Sequence, residues 1–197
     1  MNGSGKKIYL TFDDGPIAEV TPWVVEQLAI YNAKATFFCV GDNIIKHPDV
    51  FQQLLESGHQ IGSHTFNHLN GWMTDNLPYF HNVRHAANLV PTNLFRPPYG
   101  KLKPSQANFL LRHYDIVMWD ILSGDFDSNI SKQQCLDHVL DYAQDGSIIV
   151  FHDSLKTIDK LETVLPIVLK HFADQGYQFD IVQKQRVSAE LQVLATA

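Results

Sequence analysis

Residues 8–16 read Ile-Tyr-Leu-Thr-Phe-Asp-Asp-Gly-Pro: an apolar run of strand length, two adjacent carboxylates, and a Gly-Pro pair that turns the chain. The same arrangement, a short apolar run with reactive side chains at its carboxyl end, recurs along the sequence. Ile8–Phe12, Thr36–Val40, Gln60–Ser63, Leu94–Arg96, Asp115–Trp119, Ser147–Phe151 and Gln178–Val182 read as strands. Between them lie amphipathic segments with helix-end signals. Thr21-Pro22 caps one whose Val24, Leu28 and Tyr31 share a face, and Pro48 opens another carrying Phe51, Leu54 and Leu55 ahead of Gly58. Ser131–Gln134 forms a capping box ahead of Leu136, Val139, Leu140 and Ala143, and Leu161, Val164, Leu165, Val168 and Phe172 make an apolar stripe ending near Gly176. Strands alternating with helices imply parallel pairing through crossovers, hence an α/β fold of about seven parallel strands, either a doubly wound sheet or a barrel.

The chain has 197 residues and 45% hydrophobic content, which suits one domain with one core, about residues 6–182, followed by a tail, 183–197, that carries no assigned chemistry. A net charge of −6 argues against nucleic acid or an anionic membrane surface as the main partner and favours a neutral or weakly charged one. No apolar run approaches the roughly 20 residues that span a bilayer, and Met1–Lys7 is not followed by a signal-like apolar stretch. The compartment stays open, because a secreted domain whose signal has been removed reads the same way. Cys39 and Cys135 are too few and too far apart in context for a disulfide framework and read as buried thiols.

The polar clusters fall at strand ends: Asp13 and Asp14 after the first strand, His64 after the third, Arg96 ending the fourth, Asp125 in the loop after the fifth, His152 after the sixth. In a parallel barrel those ends share one rim, where residues distant in sequence converge. His64 and His68 stand at i and i+4, a spacing that suits two ligands on one turn or tight loop, but such pairs also arise by chance among ten histidines. Asp14 would complete a two-histidine, one-carboxylate set with positions left open for water. Asp13, beside it, could then act as base, with Arg96 keeping it ionised. The plainer alternatives are acids solvated in a turn and an arginine anchoring a loop stiffened by Pro97-Pro98. His152 could protonate a leaving group with Asp125 holding its charge, or simply terminate a strand, and Ser123–Phe126 could be an ordinary turn.

These residues resemble the motifs of the polysaccharide deacetylases of carbohydrate esterase family four. Thr11–Pro16 is similar to the family's TFDDGP, His64–His68 to its H-[ST]-x-x-H, and Arg96–Gly100 to its R-x-P-Y-G, all in family order. The resemblance implies a distorted (β/α) barrel and one divalent metal ion, zinc foremost with cobalt or nickel as substitutes, held by Asp14, His64 and His68. It implies a glycan substrate and hydrolysis of N-acetyl groups on N-acetylglucosamine-type sugars. It also implies Asp13 as base, Arg96 as its positioner, the Tyr99 backbone N–H as an oxyanion donor, and His152 as acid tuned by Asp125. Two motifs depart from the family: Leu122 and Phe126 stand where D-x-x-D-W has its first Asp and its Trp, and Val150 stands where L-x-H has leucine. Phe126, Val150 and Trp72 are the expected apolar walls. The rivals are a hydrolase of another amide or an O-acetyl ester, a non-catalytic glycan-binding module, and a serine hydrolase using Ser154 or Ser63, the last without a nucleophile elbow.

Overall fold

The computed structural model describes residues 5–90 and 92–182; the tail from 183 onward lies outside them. Eight strands form one parallel sheet: β1 (Lys7–Asp13), β2 (Thr36–Cys39), β3 (Gln60–Ser63), β4 (Leu94–Phe95), β5 (Asp115–Ile116), β6 (Ile121–Leu122), β7 (Ile148–His152) and β8 (Gln178–Phe179). Seven run in the order β5-β4-β3-β2-β1-β7-β6, and β8 pairs with the start of β1, so the curled sheet is open between β5 and β6. The expected fifth strand, Asp115–Trp119, is shorter than expected because the guanidinium of Arg96 draws on the carbonyls of Val117 and Met118. Ile121–Leu122 then forms a strand that its two-residue length hid from pattern reading.

The helices are α1 (Thr21–Ile30), α2 (Gly41–Lys46), α3 (Pro48–Glu56), α4 (Asn76–Ala87), α5 (Pro104–Leu110), α6 (Lys132–Leu140) and α7 (Ile158–Asp174). Ser131 caps α6 as expected: its Oγ accepts from Gln134 N–H while Gln134 Oε1 accepts from Ser131 N–H. The stripe of α7 is buried from Leu161 to Phe172, and that packing carries the helix across Pro166. Two expectations need correction. Thr21 does not cap α1; Val20 holds that position, and the Thr21 hydroxyl turns inward to Asp153. Leu55 is 45% exposed, because Leu54 takes the core-facing position on α3.

Alternation along β1 divides the molecule. Ile8, Leu10 and Phe12 point to the helix-covered face and join the main core with Phe37, Phe151 and the buried stripes of α1 and α7. Tyr9, Thr11 and Asp13 point to the concave face, where Tyr9 packs with Phe38, Leu94, Val117 and Ile148. Both faces are therefore covered, as parallel strands require, and the catalytic candidates stand at the carboxyl-end rim of the concave one. Gly62 sits beneath Phe38, whose ring lies 2.4 Å from where a β-carbon would be. Both cysteines are free and buried. Among the described residues no helix is long and apolar enough to cross a membrane.

The Phe12 ring lies 5.0 Å from Phe37 and 6.0 Å from Phe151, with no exposure, so it joins three adjacent strands. Phe12→Ala is expected to cost about 3–5 kcal/mol of stability, read from the urea midpoint; an unchanged midpoint would show that this stack is not central to the core.

Candidate active site

The carboxyl ends of β1, β3, β4 and β7 open into one cavity of about 650 Å³, lined by Asp13, Asp14, His64, His68, Tyr99, Phe126, Val150 and His152 among others. β1 ends at Asp13, and the next residue, Asp14, takes a left-handed backbone conformation (φ 84°) that aims its carboxylate into the cavity. His64 and His68 sit not on a helical turn but on a tight loop, with Thr65 (φ 65°) and His68 (φ 58°) both left-handed. Asn82 of α4 holds this loop by accepting from Phe66 N–H at 2.8 Å, and the Phe66 ring stacks on His85 at 3.7 Å.

One ligand atom from each of Asp14, His64 and His68 lies within 4.8 Å of the other two. Asp14 Oδ1 is buried and accepts no hydrogen bond, although His68 Nε2 is 3.2 Å and His64 Nε2 is 3.9 Å away. A buried carboxylate oxygen left unbonded between two imidazoles is costly unless a cation completes it. His64 Nδ1 lies 2.8 Å from the Arg96 carbonyl, so that nitrogen donates and Nε2 keeps its lone pair for the cavity. Burial brings His64 down to about 4, against the pull of Asp13 and Asp14, which leaves it neutral as a ligand must be. Burial raises the Asp14 carboxyl, but His68, His64 and His152 outweigh it and hold it below the usual carboxylate range. This donor set fits a divalent cation such as zinc.

Beside the ligands, Asp13 Oδ1 accepts from Arg96 Nη1 at 2.7 Å. Arg96 is fully buried and spends its other donors on Thr11 Oγ1, Val117 O and Met118 O, with its guanidinium 4.1 Å from the centre of the Phe38 ring. Thr11 and Asp13 both reach it because they are two apart on one strand. His152 Nδ1 donates to Asp125 Oδ1 at 2.8 Å, and Asp125 Oδ2 accepts from the His152 backbone N–H at 2.7 Å. Burial disfavours the imidazolium, yet the Asp125 bond and charge, with Asp13 and Asp14 behind them, raise His152 to about 9. Asp125 stands where it does because β6 pairs with β7 and brings the Ser123–Phe126 turn alongside the strand end.

Tyr99 lies in a 3₁₀ turn with φ 61°, its ring edge-on to His68 at 4.7 Å. Phe126 sets its ring edge against His152 at 5.1 Å, and Val150 lies on the cavity floor. Trp72 does not join them: it stands outside the cavity, 59% exposed, its indole N–H donated to Leu102 O and the ammonium of Lys101 over its ring. Among the described residues Ser63 and Ser154 gain no base partner: Ser63 Oγ is buried without a hydrogen bond, and Ser154 Oγ meets Thr157.

Several cavity residues carried no motif signal, among them Asn43, Lys101, Trp119 and Lys156. Leu122 faces the cavity beside Val150, its register partner on β7. His59 is buried, takes the Ala35 N–H on Nδ1, and is brought down to about 4 by burial and then by Lys34. Asp153 is fully buried behind the site. Burial raises it to about 8, while the Thr21 hydroxyl and the Gly15 N–H pull the other way.

The sequence model of the family "Polysaccharide deacetylase" matches residues 1–115. The peptidoglycan-N-acetylglucosamine deacetylase PgdA of Listeria monocytogenes is 33% identical over 186 residues, which is 89% of this chain and 38% of that protein. A peptidoglycan-N-acetylglucosamine deacetylase of Bacillus cereus is 30% identical over 91% of this chain and 87% of its own length. The solved structure of the peptidoglycan deacetylase PdaC from Bacillus subtilis superposes with a TM-score of 0.81 at 26% identity, covering 98% of this chain and 96% of that one.

Arg96→Met removes a buried cation and leaves the nearly buried Asp13 without its partner, so it is expected to lower stability by about 3–5 kcal/mol. Arg96→Lys keeps the charge but loses the fork of donors, so thermal unfolding should place it between wild type and the methionine variant. Equal melting of all three proteins would show that Arg96 organises nothing.

Proposed function

Because this chain belongs to the polysaccharide deacetylase family, we propose that it hydrolyses the acetamide of an N-acetylglucosamine-type glycan, using a divalent cation, zinc foremost, held by Asp14, His64 and His68. One observation carries this reading. The cavity that holds the three ligand atoms also holds a carboxylate tied to a buried arginine and an imidazole tied to a buried carboxylate. A hydrolase needs these as ligand set, base and acid.

When bound, the cation supplies a Lewis acid that makes water acidic and polarises the acetamide carbonyl. Asp13 is the base: Oδ1 is committed to Arg96, which leaves Oδ2 to accept a proton. His152 is the acid that protonates the departing amine, and it does so from Nε2, because Nδ1 is committed to Asp125. The Tyr99 backbone N–H is the donor for the developing oxyanion, presented by the left-handed turn at that residue. Phe126, Val150 and Leu122 form the apolar wall for the acetyl methyl, and Val150, smaller than a leucine, leaves more room there. The products are acetate and a free amine on the sugar. A wider acyl range is the second reading, which the valine favours. PgdA, its Bacillus cereus counterpart and PdaC are named for peptidoglycan, so peptidoglycan glycan chains are the first substrates to try, with chitin oligomers beside them.

Acetate release from N-acetylglucosamine oligomers or peptidoglycan fragments is expected to vanish with chelator and return with Zn²⁺. Asp13→Asn should abolish turnover while leaving glycan binding in place. Zinc-loaded protein inert across a panel of acetylated glycans, or turnover that survives Asp13→Asn, would sink the reading.

A pH profile gives a separate check. The acid must be protonated, so kcat/KM should fall as pH rises through the His152 value, at or below about 9, because a bound dication offsets the help of Asp13 and Asp14. Asp125→Asn removes the neighbour that raises His152 most, so the alkaline limb should move to lower pH by about 1 unit or more. A limb that does not move would assign the proton to another group.

A further inference from the structure

We infer that Asp153 is a positioning residue that fixes the geometry of the metal ligand Asp14, acting through Gly15 and Thr21. This inference rests on the reading of Asp14, His64 and His68 as the cation site. Asp153 follows His152 at the end of β7 and is fully buried. Its side chain faces away from the cavity and contributes nothing to the proton transfers assigned above.

Its contacts converge on the loop that carries the base and the ligand. Asp153 Oδ1 accepts from Gly15 N–H at 3.0 Å, and Oδ2 accepts from the Thr21 hydroxyl at 2.6 Å. The same Thr21 oxygen accepts from Ile17 N–H at 2.8 Å, and the Asp153 backbone N–H donates to Asp13 O at 3.1 Å. One residue thus grips the chain before Asp14, at Asp13, and after it, at Gly15 and, through Thr21, at Ile17. Gly15 has no side chain because the carboxylate lies where one would be, with Oδ2 2.0 Å from an added β-carbon.

The grip matters because of the backbone between its two ends. Asp14 holds φ at 84°, a conformation that costs a residue with a side chain about 1–3 kcal/mol and persists only where the surroundings enforce it. The carbonyls around it are tied: Asp14 O accepts from Asn43 Nδ2 at 2.8 Å and Gly15 O from Val40 N–H at 3.0 Å. The Gly15 N–H belongs to the peptide unit that follows Asp14 directly, and Asp153 is its partner. Without that bond the unit is held on its carbonyl side alone, by Asn43, so Asp14 can relax toward an ordinary φ and its carboxylate swing away from His68. An apolar residue in place of Asp153 would leave the buried Gly15 N–H and the Thr21 hydroxyl without this acceptor. The acid therefore satisfies those donors and, by the same bonds, holds a strained ligand.

The test is Zn²⁺ affinity, measured by competition with a chelating indicator, together with circular dichroism to verify folding. Asp153→Ala is expected to weaken Zn²⁺ binding by about 10–100-fold, as the loss of groups that orient ligands does. Asp153→Asn keeps an oxygen for Gly15 N–H and should recover most of that affinity. Thr21→Val removes only the hydroxyl bridge, nearly without change of shape, and should weaken binding in the same direction. Folded Asp153→Ala that binds Zn²⁺ as tightly as wild type would overturn the inference. Should that variant not fold, wild-type affinity in Thr21→Val would do so. A wild-type protein that binds no Zn²⁺ would overturn the cation site itself and this inference with it, whereas tight wild-type binding with indifferent variants would overturn the inference alone.

Discussion

The guanidinium of Arg96 is the constraint on which the rest of the site depends. A cation with no exposure is expensive to bury, and this one is made tolerable by using its fork fully: a carboxylate, a hydroxyl and two main-chain carbonyls, with the Phe38 and Trp119 rings beside it. Those partners come from β1 and from the segment after β5, while the carbonyl of the same residue orients His64 after β3. Side chain and main chain of one arginine thus orient both the Asp13 carboxylate and the His64 imidazole. Val117 keeps its N–H on Phe95 O while its carbonyl and that of Met118 turn to the guanidinium, where β5 ends.

Two histidines in the same cavity are driven in opposite directions by their neighbours. His64 is fully buried with its Nδ1 on a neutral carbonyl and goes down to about 4; His152 is also enclosed, but its Nδ1 meets a carboxylate, and it goes up to about 9. Burial works against the imidazolium in both, and at His152 the Asp125 carboxylate on the far nitrogen outweighs it. The sheet makes this possible by holding Asp13 and His152 as register partners on neighbouring strands while the turn after β6 supplies Asp125.

Much of this was legible in the chain. Strands alternating with amphipathic helices fixed the parallel α/β sheet, and the reactive residues at strand ends fixed the rim, because both follow from periodicity and direction alone. The spacing of His64 and His68 is by itself a weak signal among ten histidines, and the loop that joins them needs two left-handed residues that no pattern announces. What escaped had physical reasons. Ile121–Leu122 is too short to show a period. Leu54 and Leu55 are neighbours, and only packing decides which turns inward. Trp72 looked like a wall because an aromatic near a site usually is one, but its N–H found Leu102 O instead. Asp153 and Thr21 read as an ordinary strand terminus and an ordinary cap, since a bond between residues 132 apart leaves no local trace.

The gap between β5 and β6 carries a consequence for how the protein can change. The corner of Asp14, His64 and His68 is built on strands laddered on both sides, with left-handed turns fastened by side chains. The opposite wall, from Trp119 through Leu122 to Phe126, hangs on a two-residue strand at the border of the sheet and a turn beyond it. Substitutions of Leu122 or Phe126 alter the shape of the cavity and leave the hydrogen bonds of Asp125 to His152 and of Arg96 to Asp13 in place. The outline of the cavity is therefore freer to drift under selection than the polar corner opposite.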